Sequence, residues 1–476
     1  MVAVASACLL VSCSVLPPSA QPSVLGALPQ GASGQQAADL LARQVVPVYR
    51  NYQKIWPGAD LRSMPILYSD TKEAWLITPS NETNMVSKPR SLDSWKTDGI
   101  HFPAKIPVFY DFKQTYKGKP LAIIQVDPGS ASNPADPNRL LSLASVLAIH
   151  EGFHFLVQNS DAAPPSRSAN YPADAGLRTI RAMLIHELRQ AILKPAARDA
   201  HLANAANWYQ QWEERSPDEA ERFKSWENIE GTARYTELVA GARLQADWHK
   251  PASDIEDALI SAVKLYYDRS PQALGRAADP DHESYEIGAL AGVLLDVKGI
   301  DWKNDHAKEI ALSPASTLLT PLAPAAHVTA DAEISRAIAR ATSAEAAKAQ
   351  RAMQPLIDGY NDPTIPLFVL PTLDGSYSVE RSYQTTLGGH PAEAETGVTT
   401  APTESTPELN IAGASWLRTD DSSACGPSDT PRPIIPLSTV TVTPLTATFA
   451  GEQGISGNAP ITTTTLNGRT IHCVGN

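Results

Sequence analysis

A chain of 476 residues that is 43% hydrophobic and 19% charged can bury a sizeable core, and its length suggests two or three domains. Its 39 Lys and Arg against 51 Asp and Glu give a net charge of -12 with no basic cluster, which excludes nucleic acid and anionic membrane surfaces as expected partners. Beyond the N-terminal segment, no apolar run reaches the roughly 18 residues that a transmembrane helix requires.

The N-terminus, MVAVASACLLVSCSVLPPSAQ, has an apolar core of about ten residues, which suits the h-region of a signal peptide and is too short to span a bilayer. Within it, LVSC, ending at Cys13, resembles the lipobox of bacterial lipoproteins. The resemblance implies export and a lipid anchor on Cys13, with residues 1–33 as leader and tether. QQAADLLARQVVPVYRNYQKIW then reads as a helix, and MPILYS, AWLIT, KIPVFYDF and PLAIIQV as a small sheet within about residues 60–130. From PNRLLSLASVLAIHEGFHFLVQ to about Gln354 the pattern is helical, broken at APPSRSANYPADAG, RSPDEAERF, RAADPDHES and LSPASTLLTPLAPAAH. Strands first and helices after them predict an α+β domain over residues 34–355, with its helical part from about 137.

Past Pro363, LFVLPTLDGSYSVERSYQ carries a hairpin signal with Asp374-Gly375 at the turn, a β-hairpin extension over residues 356–387. GGHPAEAETGVTTAPTESTPE is rich in Pro, Thr, Ala and Gly and reads as a linker over 388–410. STVTVTPLTATF and ITTTTLNGRTIHCV, the latter with an Asn467-Gly468 turn, predict a small β module over 411–476. Two of the four cysteines, Cys8 and Cys13, belong to the leader. The other two, Cys425 and Cys473, form an even pair that in an exported chain predicts a disulfide holding this module.

Chemistry concentrates in LAIHEGFHFLVQ. His150 and His154 are four apart, so on a helix they lie about 40° apart around the axis and about 6 Å along it, and both imidazoles reach one metal ion. Glu151 sits beside them. A hydrolytic zinc needs a third protein ligand and an open position for water. In SWENIEGTARYTELVAG, Glu227, Glu230, Arg234 and Glu237 share one helical face among Ile229, Ala233, Leu238, Val239 and Ala240. Acidic groups on a partly buried helix are costly unless paired or metal-bound.

Together these segments resemble the gluzincins, the thermolysin-like superfamily of zinc metallopeptidases, and EGTARYTE is similar to the E-G-x-A-x-Y-x-E pattern of several bacterial envelope members. The resemblance spans about residues 100–300. It implies a zincin-like helical domain in which His150, His154 and Glu230 hold zinc and Glu151 is the general base. The step from His154 to Glu230 is 230 minus 154, or 76 residues. Arg234 stands where thermolysin has an Asp that orients a ligand histidine, so Glu237 or Glu227 is expected in that role. An oxyanion-stabilising Tyr or His C-terminal to the third ligand is also implied. PDHESYEIGALAGVLLD offers Tyr285 beside His282, with Tyr235 as a competitor. PLAIIQVDP is expected as the edge strand that pairs with an extended substrate. IHELRQ at His186 repeats the His-Glu pair, but Gln190 replaces the second histidine, so no ligand role is expected there.

The expected molecule is α+β: a small N-terminal sheet on a mostly helical zincin-like domain, followed by a small β-rich C-terminal module. It is expected to be an exported zinc metallopeptidase of the cell envelope acting on a peptide or protein substrate. The competing expectation is an inactive envelope lipoprotein that binds a polysaccharide or protein through the β module.

Overall fold

A computed structural model describes residues 10–11, 33–81, 85–102, 108–126, 137–158, 165–246, 248–250, 255–268, 279–371, 377–387, 389–400, 409–427, 431–451 and 454–475. Cys8, Cys13 and the Asp374-Gly375 turn lie outside them. The chain divides into two units, one of Pro17–Pro165 with Leu177–Ile338, the other of Met1–Leu16, Ser166–Gly176 and Ala339–Asn476. The composition is α+β, as the order of patterns predicts. Among the described residues no helix is long and apolar enough to cross a membrane.

The chain's first strand, β1 (Leu10–Val11), belongs to the second unit and falls inside the expected leader. In the larger unit, α1 (Gly34–Arg50) starts at Ser33, whose hydroxyl accepts from the Gln36 N–H while the Gln36 amide oxygen accepts from the Ser33 N–H. A five-stranded sheet follows, built from β2 (Ile66–Ser69), β3 (Glu73–Ile77), β4 (Arg90–Ser91), β5 (Val108–Tyr116) and β6 (Lys119–Val126), with α2 (Leu92–Thr97) between β4 and β5. Its strand order is β4-β3-β2-β6-β5, with β2 and β6 parallel and the other pairs antiparallel.

This order corrects the expected edge strand. β6 is hydrogen-bonded on both sides, and the outer strand is β5. The reason lies in LAIIQV, six consecutive buried residues. Ala122, Ile124 and Val126 enter the main core, while Leu121 and Ile123 face the opposite way to pack with Trp95 of α2.

The helical part comprises α3 (Pro137–Leu156), α4 (Ala175–Leu193), α5 (Arg198–Arg215), α6 (Pro217–Gln245), α7 (Glu256–Asp268), α8 (Pro280–Val297), α9 (Lys303–His306) and α10 (Pro314–Leu319). Asp279 and Ser313 cap α8 and α10, each with proline at the first helical position, where a missing N–H costs nothing. Two contacts bring three of these helices together. A Cβ on Gly231 of α6 would lie 2.6 Å from the Gly288 Cα of α8, and one on Gly288 would lie 2.0 Å from the Glu227 carbonyl, so the two helices touch backbone to backbone. Trp56 packs edge-on against Phe153 of α3 at 4.7 Å and against Trp302 at 5.2 Å, with Tyr235 of α6 also 5.2 Å from Trp302.

In the second unit, β7 (Ala169–Asn170) and α11 (Ala332–Asn361, from Ala339 onward) join β8 (Leu367–Val369), β9 (Tyr377–Val379), β10 (Arg381–Leu387), β11 (His390–Thr400), β12 (Leu409–Arg418), β13 (Pro433–Pro436), β14 (Thr441–Val442), β15 (Thr446–Ala450), β16 (Ile455–Leu466) and β17 (Arg469–Val474). β12, β13, β8, β17 and β16 are each paired to the next, and β16 pairs back to β12, which closes a ring around Phe368, Ile411, Trp416, Ile435 and Ile461.

Two expectations change here. β8, placed in a hairpin extension by the sequence pattern, completes the barrel of the supposed separate module. The expected linker is a strand over His390–Thr400, paired with both β10 and β12. Its buried apolar positions, Ala392, Ala394 and Val398, are small, and Glu395 and Thr396 are buried among them, so alternation gave little apolar signal. The Asn467-Gly468 turn holds, with both φ angles positive (52° and 81°) between β16 and β17.

Cys425 and Cys473 are bonded, with Cα atoms 5.5 Å apart. Intact mass after alkylation should therefore show both protected until a reductant is added. Closing a 48-residue separation should contribute about 4 kcal/mol to this unit's stability against urea. Immediate alkylation of both thiols without reductant would refute the pairing.

Candidate metal centre

The centre is built by α3 and α6. Gly152 lets α3 lie close against α1, because a Cβ there would come within 3.0 Å of the Tyr49 hydroxyl, which donates to the Ala148 carbonyl at 2.7 Å. With that face buried and Phe153 locked against Trp56, His150 and His154 turn toward α6.

His150 Nε2 lies 3.0 Å from His154 Nε2 and 3.0 Å from Glu230 Oε2, and His154 Nε2 lies 3.3 Å from the same oxygen. Around a tetrahedral ion with bonds of about 2.0 to 2.1 Å, ligand atoms stand about 3.3 Å apart, so these spacings match the edges of such a polyhedron. The outer ring nitrogens are also engaged: His150 Nδ1 meets Glu237 Oε1 at 2.6 Å and His154 Nδ1 meets Gln158 Oε1 at 2.6 Å. A carboxylate oxygen can only accept, so His150 Nδ1 is the donor. Glu237 is held in turn by Arg234, 2.5 Å away.

Burial opposes a charged His150, yet the Glu230 and Glu237 carboxylates outweigh it and push the imidazole up to about 10. The pocket favours positive charge where the three ligand atoms meet. Among the described residues, His150, His154 and Glu230 are the group that can hold a metal ion. Compared with protein-family models, with curated proteins and with solved structures, the chain matches none.

The remaining candidates sort by position. Glu151 is half-buried on α3 between the two histidines. The Tyr285 ring stacks on His150 at 5.9 Å and 14°, and also faces His282 at 6.2 Å. Tyr235, the competitor, is fully buried, and its hydroxyl donates to Asp296, so it is a core residue.

Glu227 turns away from the centre. It accepts from Arg181 at 2.9 Å and from the Ser313 hydroxyl at 2.5 Å, inside a buried network where Arg178 and Arg181 of α4 also hold Glu219 and Glu283. Burial pushes Glu283 up to about 7 against the pull of both arginines. Of the two residues expected to orient a histidine, Glu237 has that place and Glu227 does not. His186 is not a member of the metal group.

Sequence reasoning passed over Gln158, although its spacing of four from His154 continues the face that begins at His150. It passed over Arg178 and Arg181 as well, since nothing local in α4 marks arginines whose partners lie 41 to 105 residues away.

Mass spectrometry after gel filtration should show roughly one metal ion per parent chain, and His150→Ala, His154→Ala and Glu230→Gln should each abolish it. Glu227→Gln should keep the ion and lower stability by on the order of 3 kcal/mol, because it leaves Arg181 short of a buried partner. Loss of metal in Glu227→Gln with retention in Glu230→Gln would reverse the ligand assignment.

Proposed function

We propose that the chain is a zinc-dependent hydrolase that cleaves peptide bonds. The observation that carries the proposal is the meeting of two imidazole Nε2 atoms and one carboxylate oxygen within 3.0 to 3.3 Å of one another, with His150 held from behind by Glu237. Two neutral imidazoles and one carboxylate are a donor set of hydrolytic zinc sites and leave a coordination position for water. Zinc bound there supplies a Lewis acid that acidifies a water molecule and polarises a carbonyl.

The chain's own residues supply the rest. Glu151, adjacent to His150 and half-buried, takes the proton from the attacking water and returns it to the leaving amine. Tyr285, against the face of His150, donates a hydrogen bond to the carbonyl oxygen as that oxygen gains charge. Arg234 fixes Glu237, and Glu237 fixes His150, so the ligand ring does not rotate during turnover. β5 packs with α3 and carries no further strand on its outer side among the described residues, which suits main-chain pairing with an extended peptide.

The proposal includes export, supported by the apolar N-terminal core and by a disulfide of the kind that persists in oxidising compartments, and a lipid anchor on Cys13 in LVSC. Cys13→Ala should then shift the protein from the membrane pellet to the soluble or unprocessed fraction, since the acyl chains provide the attachment. Identical fractionation of variant and parent would remove the anchor from the proposal.

Glu151→Gln tests the chemistry. It keeps the ligands and the side-chain volume but loses the base, so the metal should stay at about one per chain while peptide turnover falls by about 10² to 10⁴. If the parent binds zinc but cleaves nothing in a broad peptide and ester library, the enzyme reading fails and a binding lipoprotein takes its place.

A further inference from the structure

We infer that Gln158 is a positioning residue for His154: its side-chain amide sets the imidazole as an Nε2 ligand and ties it to the turn of α6 that carries Glu230. The inference rests on the proposed metal site and adds a residue to it.

An amide's two ends look alike by shape, so its orientation must follow from its partners. Gln158 Nε2 lies 2.9 Å from the Ile229 carbonyl and 2.6 Å from the Thr232 hydroxyl oxygen, with the Asn228 carbonyl at 3.3 Å. Both carbonyls can only accept. The Thr232 hydroxyl already gives its hydrogen to the Asn228 carbonyl at 2.5 Å, so it accepts from Gln158 as well. Every partner on that side requires a donor, and the –NH₂ group is therefore fixed there.

The other end follows. Oε1 must face His154 Nδ1, 2.6 Å away, and a carbonyl oxygen there requires a proton on Nδ1. The Nε2 of the neutral ring is then a bare lone pair, aimed at the place where His150 Nε2 and Glu230 Oε2 also converge. Because Asn228, Ile229 and Thr232 flank Glu230 in sequence, one amide sets both the tautomer of a ligand on α3 and its distance from the ligand on α6. Glu237 does the first of these for His150 with a charged group, and Gln158 does it for His154 with a neutral one.

The variants Gln158→Leu and Gln158→Glu separate this role from simple packing. Leucine keeps bulk and loses both ends of the amide. Glutamate keeps an acceptor for His154 Nδ1 but offers no donor to the α6 carbonyls. Zinc affinity, measured by competition with a chromophoric chelator, should fall 10- to 100-fold in Gln158→Leu, the usual effect of losing the group behind a ligand histidine, and recover to within a few-fold of the parent in Gln158→Glu. Long-range ¹⁵N–¹H correlation spectra of histidine-labelled, chelator-treated protein should show His154 protonated on Nδ1 in the parent and a tautomer mixture in Gln158→Leu.

Parent-like affinity in Gln158→Leu would overturn the inference. So would Gln158→Glu binding no better than Gln158→Leu, since the amide would then serve only to join the helices. A parent that binds no zinc yet shows the Nδ1-protonated ring would refute the metal reading and leave the assignment of Gln158 standing. A parent with the proton on Nε2 would refute the assignment of Gln158 itself.

Discussion

Helix α6 imposes the main constraint on the larger unit: it is buried on nearly every side and yet carries Glu219, Glu227, Glu230 and Arg234 into the interior, with the Glu237 side chain largely covered beside them. A carboxylate taken out of water costs several kcal/mol unless it is paired and hydrogen-bonded, so each of these groups dictates what must stand opposite it. The arginines of α4 answer Glu219 and Glu227, the histidines of α3 answer Glu230, and His150 with Arg234 answers Glu237. The glycine contact serves the same end. With Gly231 and Gly288 backbone to backbone, α8 comes close enough to bring Glu283 into the arginine network from one turn and Tyr285 against His150 from the next residues.

Much of the candidate site was legible in the sequence because its residues are local. His150, Glu151 and His154 fall within five residues of one helix, and the acidic spacing of Glu230 and Glu237 on an apolar helix is visible without a partner. Glu227 was harder to sort, since a stripe drawn through positions three and seven apart hides rotation. At 100° per residue Glu227 lies about 60° from Glu230 and about 80° from Glu237, enough for it to face α4 while the others face α3. The choice between Tyr235 and Tyr285 was not local at all. It depends on Trp56, Trp302 and Asp296 closing over one ring and on a glycine contact delivering the other.

The fold followed a similar division. The order of strand and helix patterns gave the α+β class, and Asn467-Gly468 marked its turn, because backbone conformation there depends on two residues only. Strand neighbours were not readable in the same way. PLAIIQV has the continuous apolar run of an interior strand, and that property argued against the edge position assigned from analogy. His390–Thr400 looked like a linker because its inward positions are alanine, threonine and one valine. Its strand comes from backbone pairing with β10 and β12, and Glu395 reinforces the second pairing by accepting from the Trp416 indole at 2.5 Å and the Arg418 guanidinium at 3.1 Å.

The two sides of α6 differ in one property of their partners, and that property separates structure from chemistry. Arginine keeps its proton at any pH the fold survives, so the carboxylates facing α4 are neutralised permanently and have nothing left to offer a ligand. Histidine can be neutral. With its Nδ1 proton held by Glu237 or Gln158, each imidazole facing Glu230 can give up a proton at Nε2 and present a lone pair there, while the carboxylate keeps its negative charge. The α4 side is therefore closed and the α3 side is set to take a cation. His150→Arg would fill that place with a fixed charge, making the second side resemble the first, and for that reason should give a folded chain that no longer binds metal.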